Sequence, residues 1–307
     1  DGYGINVGTI EGKSAILTIK NGGNVNIYTG DGKTANIGAD GTVNIDASTF
    51  NVECRAENGT ATLANNGTVN VTGEASINIK NLTGNAINFT DVTIADAYIG
   101  GGVNAFGTNN FTGETNVTGI FSVGYYNASA APVVVNITGN FNGGNVLIGS
   151  SNEHVLNLGN AEGEKSTAYF GQLGAFGDVN IVNTDVTYHY AFVRNDFNVT
   201  NSTMEITGGV NTYFSGNAKV VLDHTTWNLP GYANIGSYGG YMYGNADITL
   251  KNGSVMNGTN LGIEVEEGKV VKVTIEDNSR LKATKLTNQG SIVLANVDAK
   301  VTSNEFD

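Results

Sequence analysis

Few side chains in this sequence can do chemistry, and they are scattered. Asp223-His224 sets a carboxylate beside an imidazole, the pair that a general acid–base step needs. Basic residues are sparse around it, and His224 stands where Asn or Asp stands in equivalent stretches, so it reads as a turn histidine. His154 and His189 have no His or Cys at metal-ligand spacing, and Tyr188-His-Tyr190 reads as an exposed strand face. Glu264-Val-Glu-Glu267 reads as a solvated turn before Gly268, and Asp31-Gly32 and Asp40-Gly41 as turn dipeptides. None of them matches an EF-hand loop or a calcium-binding nonapeptide. Gly100-Gly-Gly-Val103 is followed by neither a helix nor Gly-Lys-Ser/Thr, so it is a turn and not a phosphate loop. No catalytic residue, metal ligand or cofactor site is assigned, and the chain reads as non-catalytic.

The aromatic residues make a better candidate. Tyr232, Tyr238, Tyr241 and Tyr243 fall within one glycine-rich stretch, with Trp227 just before it. Upstream lie Tyr188, Tyr190, Phe192, Tyr213 and Phe214. Tyrosine offers a large contact area and a polar tip at low entropic cost. Tyr232, Tyr238, Tyr241, Tyr243 and Trp227 are the expected ligand-binding set, for a glycan or a protein. The competing expectation is an internal aromatic ladder, or rings that staple a loop to the body.

The elements that would position them repeat along the chain. In Ala246–Met256, Ile248 and Leu250 alternate with Asp247, Thr249 and Lys251, a period of two that marks a half-buried strand. Asn252-Gly253 breaks it, and both types tolerate a left-handed backbone. The same bend slot is read at Asn160, Asn183, Asn201, His224, Asp277 and Asn296, and upstream at Thr29, Ala47, Gly73, Asp91 and Gly139. Such recurrence predicts an all-β, right-handed parallel β-helix (β-solenoid) of about 13 coils of roughly 18–28 residues. An antiparallel sandwich or barrel is the alternative. The widest interval, His224 to Asn252, holds the tyrosine-rich stretch, and solenoid insertions leave the stack as loops that often form the binding face. With no linker in sight, 1–307 reads as a single solenoid domain, a fragment of a longer surface protein. The run Ser150 to Lys165 is the one place where a helical turn is expected.

Composition narrows the partners. The net charge is −13 with 15 basic residues, which argues against nucleic acid or an anionic membrane. No run of apolar residues is long enough to insert in a membrane as a helix. The lone cysteine, Cys54, follows Phe50-Asn-Val52 in alternation and reads as a buried structural thiol. The many Asn-x-Ser/Thr triplets, such as Asn136-Ile-Thr, follow from the composition.

Phe197-Asn-Val-Thr-Asn-Ser-Thr-Met204, Val220-Val-Leu-Asp-His-Thr-Thr-Trp227 and Ile248-Thr-Leu-Lys-Asn-Gly-Ser-Val255 share a pattern of alternating apolar residues, then a bend, then Ser or Thr. Residues 178–301 in this respect resemble the coils of bacterial autotransporter passengers and related surface adhesins. The resemblance implies a secreted or cell-surface rod, outer membrane-associated, that binds a host surface glycan or protein or self-associates. Asp223-His224 also resembles a segment of the pectate lyases, which makes a polysaccharide lyase or hydrolase the second expectation. The arginine motif of those enzymes does not follow it, and the Asp-Asp pair and Gly-His-Gly of the polygalacturonases are missing. A structural spacer of a surface layer is the third.

Overall fold

The alternation of Ala246–Lys251 sorts its side chains as the period requires. Ala246, Ile248 and Leu250 are buried, and Asp247, Thr249 and Lys251 face outward. Ile248 lies between Val220 and Val273, and Leu250 between Leu222 and Ile275, in parallel pairs on both sides. This strand therefore pairs with segments one coil before and one coil after it, and such parallel pairing recurs along the chain, which is a parallel β-solenoid. Side-chain hydrogen bonds between neighbouring coils join residues 16 to 32 positions apart, a wider range than the spacing of the bends suggests.

The computed structural model describes residues 5–56, 59–126, 131–150, 153–207, 211–238, 240 and 242–307. None of these is helical, so no helix is long and apolar enough to cross a membrane. The stretch expected to hold a helical turn instead contains the strand His154–Leu158, followed by bends. Two compact units are formed, Asp1–Asn145 and Val146–Asp307.

In the first unit the inner columns run Ile45, Val71, Phe89 and Ala105 on one face and Val52, Ile79, Ile99 and Val117 on another. Outside, Asn44, Asn70, Asn88 and Asn104 form a ladder, each amide donating to the preceding one at 2.9, 3.2 and 3.3 Å. Carboxylates close turns between coils: Asp91 accepts the Thr108 N–H and Asp96 the Glu114 N–H, each at 2.7 Å. Cys54 departs from expectation. It is half-buried and lines a groove of about 420 Å³ with Glu53, Lys80 and Asn81. Pairing with the next coil stops at Val52 and Ile79, two residues short of Cys54.

In the second unit the bend slot and the residue after it explain the repeat physically. Asn183, Asn201, His224, Asn252 and Asp277 all have φ between 48 and 54°. L-residues pay for that conformation, and Asn and Asp pay least. The hydroxyl that follows points inward. Thr184, Ser202, Thr225, Ser254 and Ser279 are all buried, and each accepts or donates a bond within the turn column. After Asn183, Asn201 and His224 the hydroxyl comes one residue later. After Asn252 and Asp277 a second left-handed residue, Gly253 or Asn278, intervenes, and the hydroxyl comes two later. In the first unit Ala47, Gly73 and Asp91 take the same conformation. Asn160, Thr29, Gly139 and Asn296 do not: Gly159 is the left-handed residue beside Asn160, and Thr29 is a buried strand residue.

Candidate functional site

The long interval does leave the stack. The strand Thr226–Ile235 follows its predecessors in register, then Gly236 at φ 96° turns the chain outward. A Cβ there would run into the Glu264 carbonyl, so the turn needs glycine. Ser237–Tyr238 pair antiparallel with Met242–Tyr243, and the chain rejoins the stack at Ala246. This hairpin lies over the outer face of the sheet. The Tyr238 ring centroid is 4.4 Å from that of Tyr213 and 5.1 Å from that of Phe192. Phe192 and Tyr213 alternate with inward residues and would otherwise face solvent, but they are only 6% and 7% exposed.

Glu264 fastens the hairpin. Its carboxylate accepts the Asn234 amide at 2.7 Å, the Tyr232 hydroxyl at 3.3 Å and the Ser237 hydroxyl. The Ser237 Oγ in turn accepts the Gly240 N–H at 3.3 Å. Glu264 is thus a half-buried clamp and not the solvated turn its neighbours Glu266 and Glu267 form.

Beside the hairpin an outward column stays open. Ala191, Thr212, Ala233 and Leu261 stack in register, so the residues before them, Tyr190, Asn211, Tyr232 and Asn260, form the next column. Gln172 precedes it and Lys285 follows it. Tyr232 is 40% exposed, Asn260 is exposed, and Tyr190 and Asn211 are half-buried. Tyr190 packs edge-on against Tyr213 with centroids 5.9 Å apart, and Asn211 donates to the Tyr213 hydroxyl at 2.5 Å. Burial, then the hydrogen bond with Tyr238, pushes the Tyr190 phenol above its ordinary value. Burial raises Tyr232 as well, the Asn234 hydrogen bond opposes this, and the Glu264 carboxylate adds to it. Both hydroxyls are neutral near pH 7 and can donate and accept.

The expected ligand-binding set is therefore redistributed. Tyr232 is in the open column, Tyr238 and Tyr243 are half-buried in the hairpin, and Tyr241 lies outside the described residues. Trp227 requires correction: it is 0% exposed. It sits at an inward position between Met204 and Met256, stacked on Phe197 at 5.5 Å and edge-on to Phe214 at 5.2 Å. Its Nε1–H donates to the Tyr188 hydroxyl at 2.7 Å, and that hydroxyl also meets Thr212 Oγ1 at 2.9 Å. Strand parity puts Trp227 inside and Tyr232 outside although they are neighbours in sequence. Asn211 was missed, Tyr190 was named only among the upstream aromatics, and Glu264 was read as part of a turn. Aligning coils on Ala191, Thr212 and Ala233 would have put Tyr190 and Asn211 in one column with Tyr232.

The other candidates are simpler. His224 occupies a left-handed bend and its Nδ1 is 2.8 Å from Asp223, which also meets Lys251 Nζ at 3.4 Å and the Asn252 amide at 2.8 Å. Burial acts to raise the Asp223 carboxyl, but hydrogen bonds from Asn252, His224 and Lys251 hold it below the ordinary value. His189 is exposed with Nδ1 3.3 Å from the Thr207 hydroxyl. Among the described residues no three His, Cys, Asp or Glu side chains converge as metal ligands would.

No known protein family matches this chain, and no solved structure matches it. One stretch of 187 residues is 30% identical to the uncharacterized protein YuaQ of Escherichia coli K12. That stretch is 60% of this chain but only 13% of the longer protein.

Proposed function

We propose that this chain is a segment of a non-catalytic bacterial adhesin, secreted or displayed at the cell surface in association with the outer membrane. Its partner is a host surface glycan or protein, and contacts between copies add self-association. The observation that carries this reading is the open column Tyr190, Asn211, Tyr232 and Asn260 on a rigid stack. Rings and amides held in register by a parallel sheet bind with little ordering cost. The sparse acid–base chemistry supports a binding role over a catalytic one. The second reading, a polysaccharide lyase or hydrolase, draws on the Asp223, His224 and Lys251 cluster, which brings one carboxylate, one imidazole and one amine together.

The test is an array of host glycans and extracellular matrix proteins probed with the whole chain and with Tyr232→Ala. Capture by the array that Tyr232→Ala weakens supports the adhesin. Release of new reducing or unsaturated sugar ends, abolished by Asp223→Asn, would establish the enzyme instead. Absence of both would leave the chain a spacer and defeat the proposal.

A further inference from the structure

The open column alternates ring, amide, ring, amide, one residue per coil. Tyr190 and Tyr232 are two coils apart with Asn211 between them. Two coil rises are about 9.6 Å, the span of a disaccharide of equatorially linked hexoses. We infer that this column binds an uncharged, extended polysaccharide laid along the stacking direction, alternate sugars resting on Tyr190 and Tyr232. The inference rests on the binding role proposed above and names its ligand.

Three features of the site select that class. Tyrosine faces suit the C–H faces of pyranose rings, and the amides of Asn211 and Asn260 sit where ring hydroxyls fall between stacked sugars. Gln172 and Lys285 extend the same row by one coil on each side, so a chain longer than a disaccharide keeps finding partners.

Charge excludes acidic sugars. The chain carries −13 overall, and Glu264 and Glu305 flank the row. Lys285 is held by Glu305 at 2.8 Å. A carboxylated sugar would meet net repulsion here.

A protein partner fits less well. Protein interfaces need an apolar centre that loses its water. The residues that could supply one, Phe192 and Tyr213, are covered by Tyr238.

The experiment titrates the whole chain with cellohexaose, chitohexaose and laminarihexaose, their disaccharides, and sialyllactose, by calorimetry. At least one neutral hexasaccharide is expected to bind more tightly than its disaccharide, and sialyllactose more weakly than either. Tyr232→Ala is expected to weaken that binding by about tenfold or more, and Tyr232→Phe by much less. Tyr190→Phe keeps the ring if Tyr190→Ala unfolds the hairpin, and it is expected to retain most of the affinity. Tighter binding of sialyllactose, or neutral-sugar binding that Tyr232→Ala leaves intact, would overturn the inference. If the chain binds matrix proteins but no neutral sugar, the ligand class is wrong and the adhesin reading survives. If it binds neither, both fail.

Discussion

Ser254 tests whether the buried hydroxyls hold the coils together or merely fill space. It is 0% exposed. Its Oγ accepts the Thr225 N–H at 3.1 Å, and its hydroxyl proton is shared between the carbonyls of Lys251 at 2.7 Å and Leu222 at 2.9 Å. Ser254→Ala removes one oxygen and leaves the Thr225 N–H, itself in a buried residue, without an acceptor. An orphaned buried donor costs about 1–3 kcal/mol, and the lost hydroxyl-to-carbonyl bond adds about 0.5–1.5 kcal/mol. The methyl of alanine occupies space already cleared for Cβ, so no large cavity term is added. The sum is a loss of about 1.5–4.5 kcal/mol. Urea unfolding measures it, with Ser291→Ala at an exposed strand position as the control. Amide exchange gives a second readout: protection at Thr225 should fall by about two orders of magnitude, since 1.4 kcal/mol is tenfold. A loss under about 0.5 kcal/mol, no larger than that of Ser291→Ala, would refute the reasoning, because surface substitutions already reach that size.

Trp227→Phe should cost about 2–3 kcal/mol through lost volume and the lost Nε1–H bond to the Tyr188 hydroxyl, which keeps Thr212 as a partner, while leaving sugar affinity unchanged in calorimetry. Loss of affinity in a stably folded Trp227→Phe protein would return Trp227 to the binding site. At the left-handed bend, His224→Asn should be neutral or mildly stabilising, and His224→Val should destabilise by about 1–2 kcal/mol in the same urea assay. Two carboxyls give acid stability opposite signs. Asp223 is lowered on folding, so its contribution is complete above the ordinary carboxylate value and is lost as pH falls through its folded value. Asp178 is raised, by burial first and then by Asp196, so its contribution is present at low pH and lost as pH rises through its folded value. Thermal melts from pH 3 to 8 should therefore show Asp223→Asn less sensitive to acid than wild type, and Asp178→Asn gaining stability only toward neutral pH.

Local chemistry made much of the fold legible. Ile248 and Leu250 alternate with polar neighbours, and Asn252 marks the end of the strand, because period and backbone tolerance are properties of single residues and their neighbours. The parallel stack could be inferred because the unit recurs, and only coils in register let Phe197, Val220 and Ile248 fall in one column. Thr29 and Asn160 misled, because a polar residue after two alternating apolar ones looks like a bend whether or not its φ is positive. Cys54 misled for a different reason: alternation tells which way a side chain points, not whether the next coil reaches far enough to cover it.

The sequence by itself determined the coil: the alternation of its strands, most of its left-handed bends in the second unit, and that the long interval must leave the stack. Only the tertiary structure decided which aromatics meet solvent. Trp227 and Tyr232 are five positions apart, on opposite sides of one strand's surface. Tyr190 and Tyr232 are distant in sequence and two coils apart in one column, and Glu264 reaches Tyr232 from the next coil. A site assembled one residue per coil depends on how many residues each coil takes to come round, and that number varies from coil to coil with turns and insertions that only the closed stack resolves.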